Sequence, residues 1–176
     1  MFFLRKILLT IYRLISVEAF FIFQNPDDMN LFSKFNILKN SNYQLIRGSG
    51  VNVEKYRTLK RDNKTSSNII VLFASRLLKE KGIFELIVAM KEIKRKKNPI
   101  DLYVAGSIDE GNPSAISKKE LAQWSDDGVI KYLGELKNIE DVISYSDIVI
   151  LPSWREGLPK ILLEAACAGK AIITTN

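Results

Sequence analysis

The chain has 176 residues, 47% hydrophobic and 26% charged, a make-up that suits a soluble globular domain with some additional chain and allows a sizeable core. It contains no histidine, which excludes the commonest general base, Ser–His nucleophile arrangements and nearly every zinc site other than a four-cysteine one, so catalysis must rest on carboxylates, cations and backbone. The single Cys167 excludes an intrachain disulfide and reads as a small apolar residue, while a net charge of +6 favours anionic partners without choosing among phosphate, nucleic acid and acidic lipid.

The first 23 residues are apolar but interrupted by Arg5, Lys6, Arg13 and Glu18. Every window long enough to span a bilayer, about 20 residues, contains several of these charges, which argues against a spanning helix. The spacing instead predicts an amphipathic helix ending near Ile15 and a short strand over Ala19 to Phe23, with apolar faces that are expected to be exposed in this chain. Asn25-Pro26-Asp27-Asp28 marks a turn and a helix start, leading to a helix over Met29 to Phe35, then Tyr43-Gln44-Leu45-Ile46 and the break Arg47-Gly48-Ser49-Gly50. Residues 1–46 are therefore one segment and 47–67, polar and charged from Tyr56 onward, a linker.

From residue 68 the pattern alternates strand and helix. Ile69 to Ala74 is a continuous apolar run of the kind a parallel sheet buries on both faces. Ile83, Leu86, Ile87, Met90 and Ile93 then recur at helical spacing, and lysines crowd the end of that helix, where cations complement its dipole. Further strands are predicted at Ile100 to Ala105, Val129 to Leu133, Ile148 to Leu151 and Ala171 to Thr175. Helices are predicted near Lys118 to Trp124, Ile139 to Tyr145 and Lys160 to Ala168. Five strands joined by helical crossovers imply an α/β, Rossmann-like, doubly wound parallel sheet over residues 68–176.

Ligands of such sheets bind beyond the carboxyl ends of the strands. The residues there are Ser75-Arg76 running on to Lys81-Gly82, then Gly106-Ser107, Gly134-Glu135, and Pro152-Ser153-Trp154-Arg155-Glu156-Gly157. Arg76 and Lys81 are placed to neutralise a diphosphate near helix N-termini; in a lysine-rich chain Lys81 alone reads rather as a solvated cation, whereas for Arg76, at the end of a buried strand, the functional reading is ahead. Glu164 lies among Ile161, Leu162, Leu163, Ala165 and Ala166, and a carboxylate in such company needs a partner; a ribose, with two adjacent hydroxyl donors, is one. Pro159 suits a helix first turn, so Gly157 and Leu158 offer backbone N–H groups to a phosphate or sugar; Glu156 by itself reads as an acidic residue favouring the helix dipole.

The run from Arg155 to Ala165, with Glu156 and Glu164 eight apart, resembles the E-x7-E signature of the GT-B retaining glycosyltransferase family 4. Ser75 to Gly82 is similar to that family's R-x4-KG segment, Leu151-Pro152-Ser153 to its PS element, and Ala168-Gly169-Lys170-Ala171 to its small-residue turn and strand. Order and spacing agree over roughly Phe20 to Asn176. The resemblance implies that Arg76 and Lys81 grip the diphosphate of a nucleotide-sugar donor, a UDP-sugar first of all. Glu156 would be the catalytic-site carboxylate bonding the transferred sugar's hydroxyls and Glu164 would hold the ribose. Amides of Gly157 and Leu158 would assist, and the backbone around Glu135 and Leu136 would meet the base. It further implies retaining transfer of a hexose or N-acetylhexosamine without a metal or cofactor, the departing diphosphate helping to activate a glycan or polyprenyl-linked acceptor. Gly111 to Ser117 is similar to members that extend lipid-linked bacterial surface polysaccharides.

On the same resemblance the chain is cut short at both ends: residues 1–46 are a remnant of the N-terminal acceptor domain, and a closing helix is missing at the far end. A non-catalytic remnant, or one subunit of a split enzyme completed by a chain supplying the N-terminal domain, is the competing expectation. A dinucleotide-dependent dehydrogenase would need a glycine-rich fingerprint where Ser75-Arg76-Leu77-Leu78 stands, and nucleic-acid binding would need basic residues interleaved with exposed aromatics, so neither is expected. The location expected is cytoplasmic, peripheral at the inner face of the membrane through the basic charge and the apolar N-terminal segment.

Overall fold

The computed structural model describes residues 2–39, 41–48, 50–59 and 67–175, which divide into two units, Met1–Gly50 with Gly157–Pro159 and Val51–Glu156 with Lys160–Asn176. The first unit contains α1 (Phe2–Ile15), β1 (Phe20–Phe23), α2 (Pro26–Lys34) and β2 (Asn42–Leu45), with β1 and β2 parallel and Phe20 opposite Asn42. Asn25 starts α2: its Oδ1 accepts from the Asp28 amide at 2.8 Å, Pro26 occupies the first turn, and Asp27 and Asp28 meet the positive end of the helix dipole. The buried apolar side chains of this unit are Phe23, Ile37 and Leu38, with a cluster of aromatic rings beside them. Phe32 of α2 meets Tyr12, Phe21 and Phe23 edge-on at centroid distances of 5.2, 5.7 and 5.2 Å. On the other side of the helix α1 lie exposed Leu4, Leu8, Ile11, Leu14 and Ile15, as the sequence led us to expect.

The second unit is built on a five-stranded parallel sheet of order β5-β4-β3-β6-β7, formed by β3 (Ile69–Ala74), β4 (Ile100–Ala105), β5 (Lys131–Gly134), β6 (Ile148–Leu151) and β7 (Ala171–Thr174). Its helices are α3 (Val53–Arg57), α4 (Ile83–Arg95), α5 (Lys118–Asp126), α6 (Ile139–Tyr145) and α7 (Lys160–Cys167). Strand β3 lies at the centre and has no solvated face: Ile70, Val71, Leu72 and Phe73 are all buried. The two-residue period of a strand sends Val71 and Phe73 to one side, where they join Ile83, Leu86, Ile87 and Met90 of α4 and Leu121 and Trp124 of α5. It sends Leu72 to the other, where Tyr56 of α3, Val142 and Ile143 of α6, and Ala165 of α7 cover it. The pairing Val71↔Leu102, Leu72↔Tyr103, Phe73↔Val104 keeps β4 in step with this alternation.

The α/β, Rossmann-like class is thus as expected, and the ends of β3, β4, β6 and α6 fall where hydrophobic pattern put them. Helix α5 is fixed by a reciprocal cap: Ser117 Oγ accepts from the Glu120 amide at 3.1 Å while Glu120 Oε2 accepts from the Ser117 amide at 2.8 Å. Helix α2 starts at Pro26, a turn ahead of the expected Met29, and several other ends move by one or two residues; three further details differ from the pattern. Strand β5 begins at Lys131 rather than Val129, because the amides of Val129 and Ile130 bond back to Trp124 O at the end of α5 instead of to β4. A single 3₁₀ turn occupies Lys79–Lys81. Within residues 47–67, read as a linker, the segment carries helix α3, capped by Asn52 Oδ1 accepting from the Lys55 amide at 3.1 Å, and Tyr56 on it is only 4% exposed; residues 60–66 of that segment lie outside the described residues.

Phe73 has no accessible surface and is the last but one residue of the central strand. Phe73→Ala is expected to lower the unfolding free energy by about 3–5 kcal/mol, the usual cost of emptying a fully buried aromatic site. Urea unfolding followed by circular dichroism checks it, and a loss below about 1 kcal/mol would mean that the core does not depend on this strand as described.

Candidate functional site

The parallel strands end together on one edge of the second unit, and the sheet's order reverses there: from β3 the chain runs outward through β4 and β5, then returns to β6 on the opposite side of β3. Beyond the ends of β3, β4 and β5 lies a pocket of about 190 Å³ lined by Ser75, Arg76, Gly106, Ser107, Glu135 and Leu136, among others. Its floor is backbone held close by a glycine. Gly106 has φ 140°, and a Cβ there would lie 1.8 Å from Ser75 O, so no side chain fits between the two strand ends. The Gly106 amide donates to Gly134 O at 2.8 Å and Tyr132 Oη donates to Gly106 O at 2.9 Å, which ties the third strand end to the other two.

Arg76 extends from the end of β3 with 62% of its side chain exposed, and its Nη1 lies 3.5 Å from Asp109 Oδ2. A long, exposed pair of this kind contributes little and yields readily to a stronger anion. Lys81 is in a different situation. Its Nζ is 2.5 Å from Glu156 Oε1, and the two side chains are 18% and 23% exposed. Sequence reading assigned these two residues separately, whereas here each is the other's partner, and the largely desolvated charges depend on one another.

The pair sits where two loops are stitched together. Glu80 O accepts from Ser153 Oγ at 3.0 Å and from the Trp154 amide at 2.8 Å, and Trp154 Nε1 donates to Glu85 Oε1 at 3.2 Å. Gly82, at φ 75°, lies so close to the loop after β6 that a Cβ would come within 2.0 Å of Pro152 O. The glycine of the Lys81-Gly82 pair is thus required by left-handed backbone and by close approach at once.

Glu164 is buried, 5% exposed, as its apolar neighbours led us to expect, and the protein supplies a partner of its own. Tyr56 Oη donates to Glu164 Oε1 at 2.8 Å, and Lys160 Nζ, one turn earlier on α7, lies 3.4 Å from the same oxygen. Burial, the bond to Glu164, and the charges of Glu164 and Glu140 all push the Tyr56 hydroxyl's pKa upward, so it remains a donor through the ordinary pH range. Lys55 stands 2.8 Å from Glu140 and, by that hydrogen bond, holds the Glu140 carboxyl below its ordinary value.

The structure therefore brings Arg76, Glu135 and Leu136 to one pocket, joins Lys81 to Glu156, and places Glu164 against Tyr56. Gly157 and Leu158 belong to the first unit, and α7 begins just after Pro159, at Lys160. Sequence reasoning missed Tyr56, although Asn52 three residues before Lys55 is a helix-start signal and Tyr56 falls on the inner face of the turn it caps. It also missed Asp109, whose only sign is its nearness to the end of β4.

Comparison with known proteins decides the family. The family model described as "Glycosyl transferases group 1" matches residues 55–176. The chain belongs to this glycosyltransferase family. It is 31% identical over 166 residues to the N,N'-diacetylbacillosaminyl-diphospho-undecaprenol alpha-1,3-N-acetylgalactosaminyltransferase of Campylobacter jejuni, with 89% of this chain and 42% of that protein aligned. It is 30% identical over 126 residues to the capsular polysaccharide biosynthesis glycosyltransferase CapM of Staphylococcus aureus, covering 70% of this chain and 30% of CapM. The chain thus spans less than half the length of these curated relatives. Among solved structures, the sucrose-phosphate synthase of Thermosynechococcus elongatus superposes with a TM-score of 0.73 at 18% identity over 94% of this chain and 43% of that one. The Anabaena protein HepE, solved with UDP-glucose, gives 0.70 at 18% identity over 94% and 48%. These two likenesses support the fold, that of GT-B glycosyltransferases. No helix among the described residues is long and apolar enough to cross a membrane.

Gly82→Ala must force a side chain onto Pro152 O in a left-handed backbone, and is expected to cost about 3 kcal/mol of stability from strain and overpacking together. A denaturant midpoint unchanged from the parent chain would show that the two loops are not held together at this point.

Proposed function

We propose that this chain is the donor-binding part of a retaining glycosyltransferase that takes a hexose or N-acetylhexosamine from a nucleotide-diphosphate sugar, a UDP-sugar in the first instance. The observation that carries the reading is the pocket at the ends of β3, β4 and β5, open beside an exposed arginine whose existing ion pair is weak, in a chain of this family. In this reading the diphosphate displaces Asp109 from Arg76, since a guanidinium matches two phosphate oxygens at once better than it matches one distant carboxylate. Lys81 shares its charge between the diphosphate and Glu156. Glu156, fixed through Oε1, keeps its other oxygen for hydroxyls of the sugar. Backbone groups of Glu135 and Leu136 meet the base, and Glu164 accepts from the ribose hydroxyls.

Transfer with retention follows from the family resemblance of the Glu156–Glu164 spacing: the departing diphosphate assists the attacking hydroxyl, and Arg76 and Lys81 stabilise the charge that develops on it. No metal is assigned a role. The acceptor is a glycan or polyprenyl-linked acceptor, a reading supported by the names of the Campylobacter and Staphylococcus relatives; in this reading the protein works in the cytoplasm, peripheral at the inner face of the membrane. Residues 1–46 are read as part of the acceptor-side domain and 68–176 as the nucleotide-sugar domain, a division supported by the two units of the fold.

Calorimetric titration of the chain with UDP, GDP and ADP tests the proposal. UDP is expected to bind saturably and with or without EDTA, and Arg76→Ala and Glu164→Ala are each expected to weaken it about tenfold or more, the loss of one charge-assisted hydrogen bond being worth ~1.5–3 kcal/mol. A folded chain that takes up none of the three nucleotides sinks the donor-binding reading.

A further inference from the structure

We propose that Tyr56 is a positioning residue for nucleotide binding: its hydroxyl, delivered by α3, holds one oxygen of Glu164 and orients that carboxylate toward a ribose. This rests on the donor-binding reading given above. Both partners are almost without solvent contact, 4% and 5% exposed, and the bond between them is 2.8 Å. The phenol ring is packed among Leu72, Val142, Ile143, Val149 and Ala165, so its hydroxyl has one place to go. An aromatic side chain has few torsions to freeze, which makes it a stiff arm for setting a second group.

The carboxylate it sets is loaded on one side. Tyr56 Oη and Lys160 Nζ both address Oε1. A carboxylate has about four acceptor positions, and a ribose offering two hydroxyl donors needs those that the phenol and the ammonium leave. The charged and titratable groups around the pair are Lys160 on α7 itself, Tyr56 and Lys55 from α3, and Glu140 from α6, the last two paired with each other at 2.8 Å. Of these only Tyr56 is neutral, buried and directly bonded, so it adds direction to the carboxylate without competing for the ligand as a charge.

Tyr56→Phe keeps the ring and removes the donor. The expected result, by calorimetry with UDP, is about tenfold weaker binding, within the range for a hydrogen bond to a charged group, with the melting temperature within a few degrees of the parent. The ribose hydroxyls carry the diagnosis. A phenol that acts by aiming Glu164 at the ribose has no effect when those hydroxyls are absent, so Tyr56→Phe and the parent are expected to bind 2′,3′-dideoxy-UDP alike. A role confined to stability weakens UDP and the dideoxy nucleotide by the same factor.

Glu164→Gln, run in parallel, separates the two levels of the reading. If Glu164→Gln weakens UDP while Tyr56→Phe matches the parent in affinity, the positioning role is overturned and the donor-binding reading stands. If Glu164→Gln binds as the parent does, the positioning role falls with the ribose role of Glu164; if the parent takes up none of UDP, GDP and ADP, the donor-binding reading falls too. Should Tyr56→Phe unfold, the double variant Tyr56→Phe with Glu164→Gln leaves no buried carboxylate in need of a donor: it is expected to bind UDP as weakly as Glu164→Gln alone, and a further loss of about tenfold on top overturns the proposal.

Discussion

Everything in the larger unit depends on a strand that cannot face water on either side. Residues 70–73 are four consecutive apolar positions, and all four are buried. A strand alternates its side chains, so such a run demands a hydrophobic layer above and another below. Helices α4 and α5 supply one and α3, α6 and α7 the other. Covering both faces of a parallel sheet leaves the strand ends as the place where functional backbone and side chains emerge without interrupting the core. The rim that carries Arg76, Gly106 and Glu135 is a by-product of that constraint.

What makes the rim a defined surface is how few degrees of freedom its loops retain. At two positions, Gly82 and Gly106, backbone comes within a distance that excludes even a methyl group. The carbonyl of Glu80 satisfies two donors from the loop after β6, and Glu85 anchors the indole of Trp154. These bonds run between segments some 70 residues apart in sequence, 73 for Ser153 to Glu80 and 69 for Trp154 to Glu85. Lys81 and Glu156 meet at that junction, and their short ion pair is a consequence of loops already drawn together.

The fold was largely legible in the sequence because its signals are local. Continuous apolar runs gave β3 and β6 to the residue, an apolar run interrupted only by Asp101 gave β4, and the helical spacing from Ile83 to Ile93 gave α4. Pattern failed where a tertiary bond decided the outcome: Val129 and Ile130 are apolar and β-prone, yet they serve the end of α5. The site was legible as a set of residues and not as a set of pairs. Arg76, Glu135 and Leu136 share a pocket because strand ends converge, which topology predicts. The pairing of Lys81 with Glu156, and of Glu164 with Tyr56, depends on which side chains reach one another across 75 and 108 residues of chain, and composition carries no trace of that. Tyr56 was hidden for a further reason: its helix is only five residues long, too short for hydrophobic periodicity to register.

The distance along the chain between Tyr56 and Glu164 has a kinetic consequence. Contacts between residues close in sequence form early, because little loop entropy opposes them, while a bond closing 108 residues awaits the strands and helices between its ends. Until α3 is seated on α7 the carboxylate of Glu164 has only water and Lys160, one turn earlier on its own helix, as partners, and lacks its buried neutral donor. The buried phenol–carboxylate bond therefore closes a loop longer than that of the Lys81–Glu156 pair, and the finished carboxylate exists only in a chain in which both ends of this unit have come together.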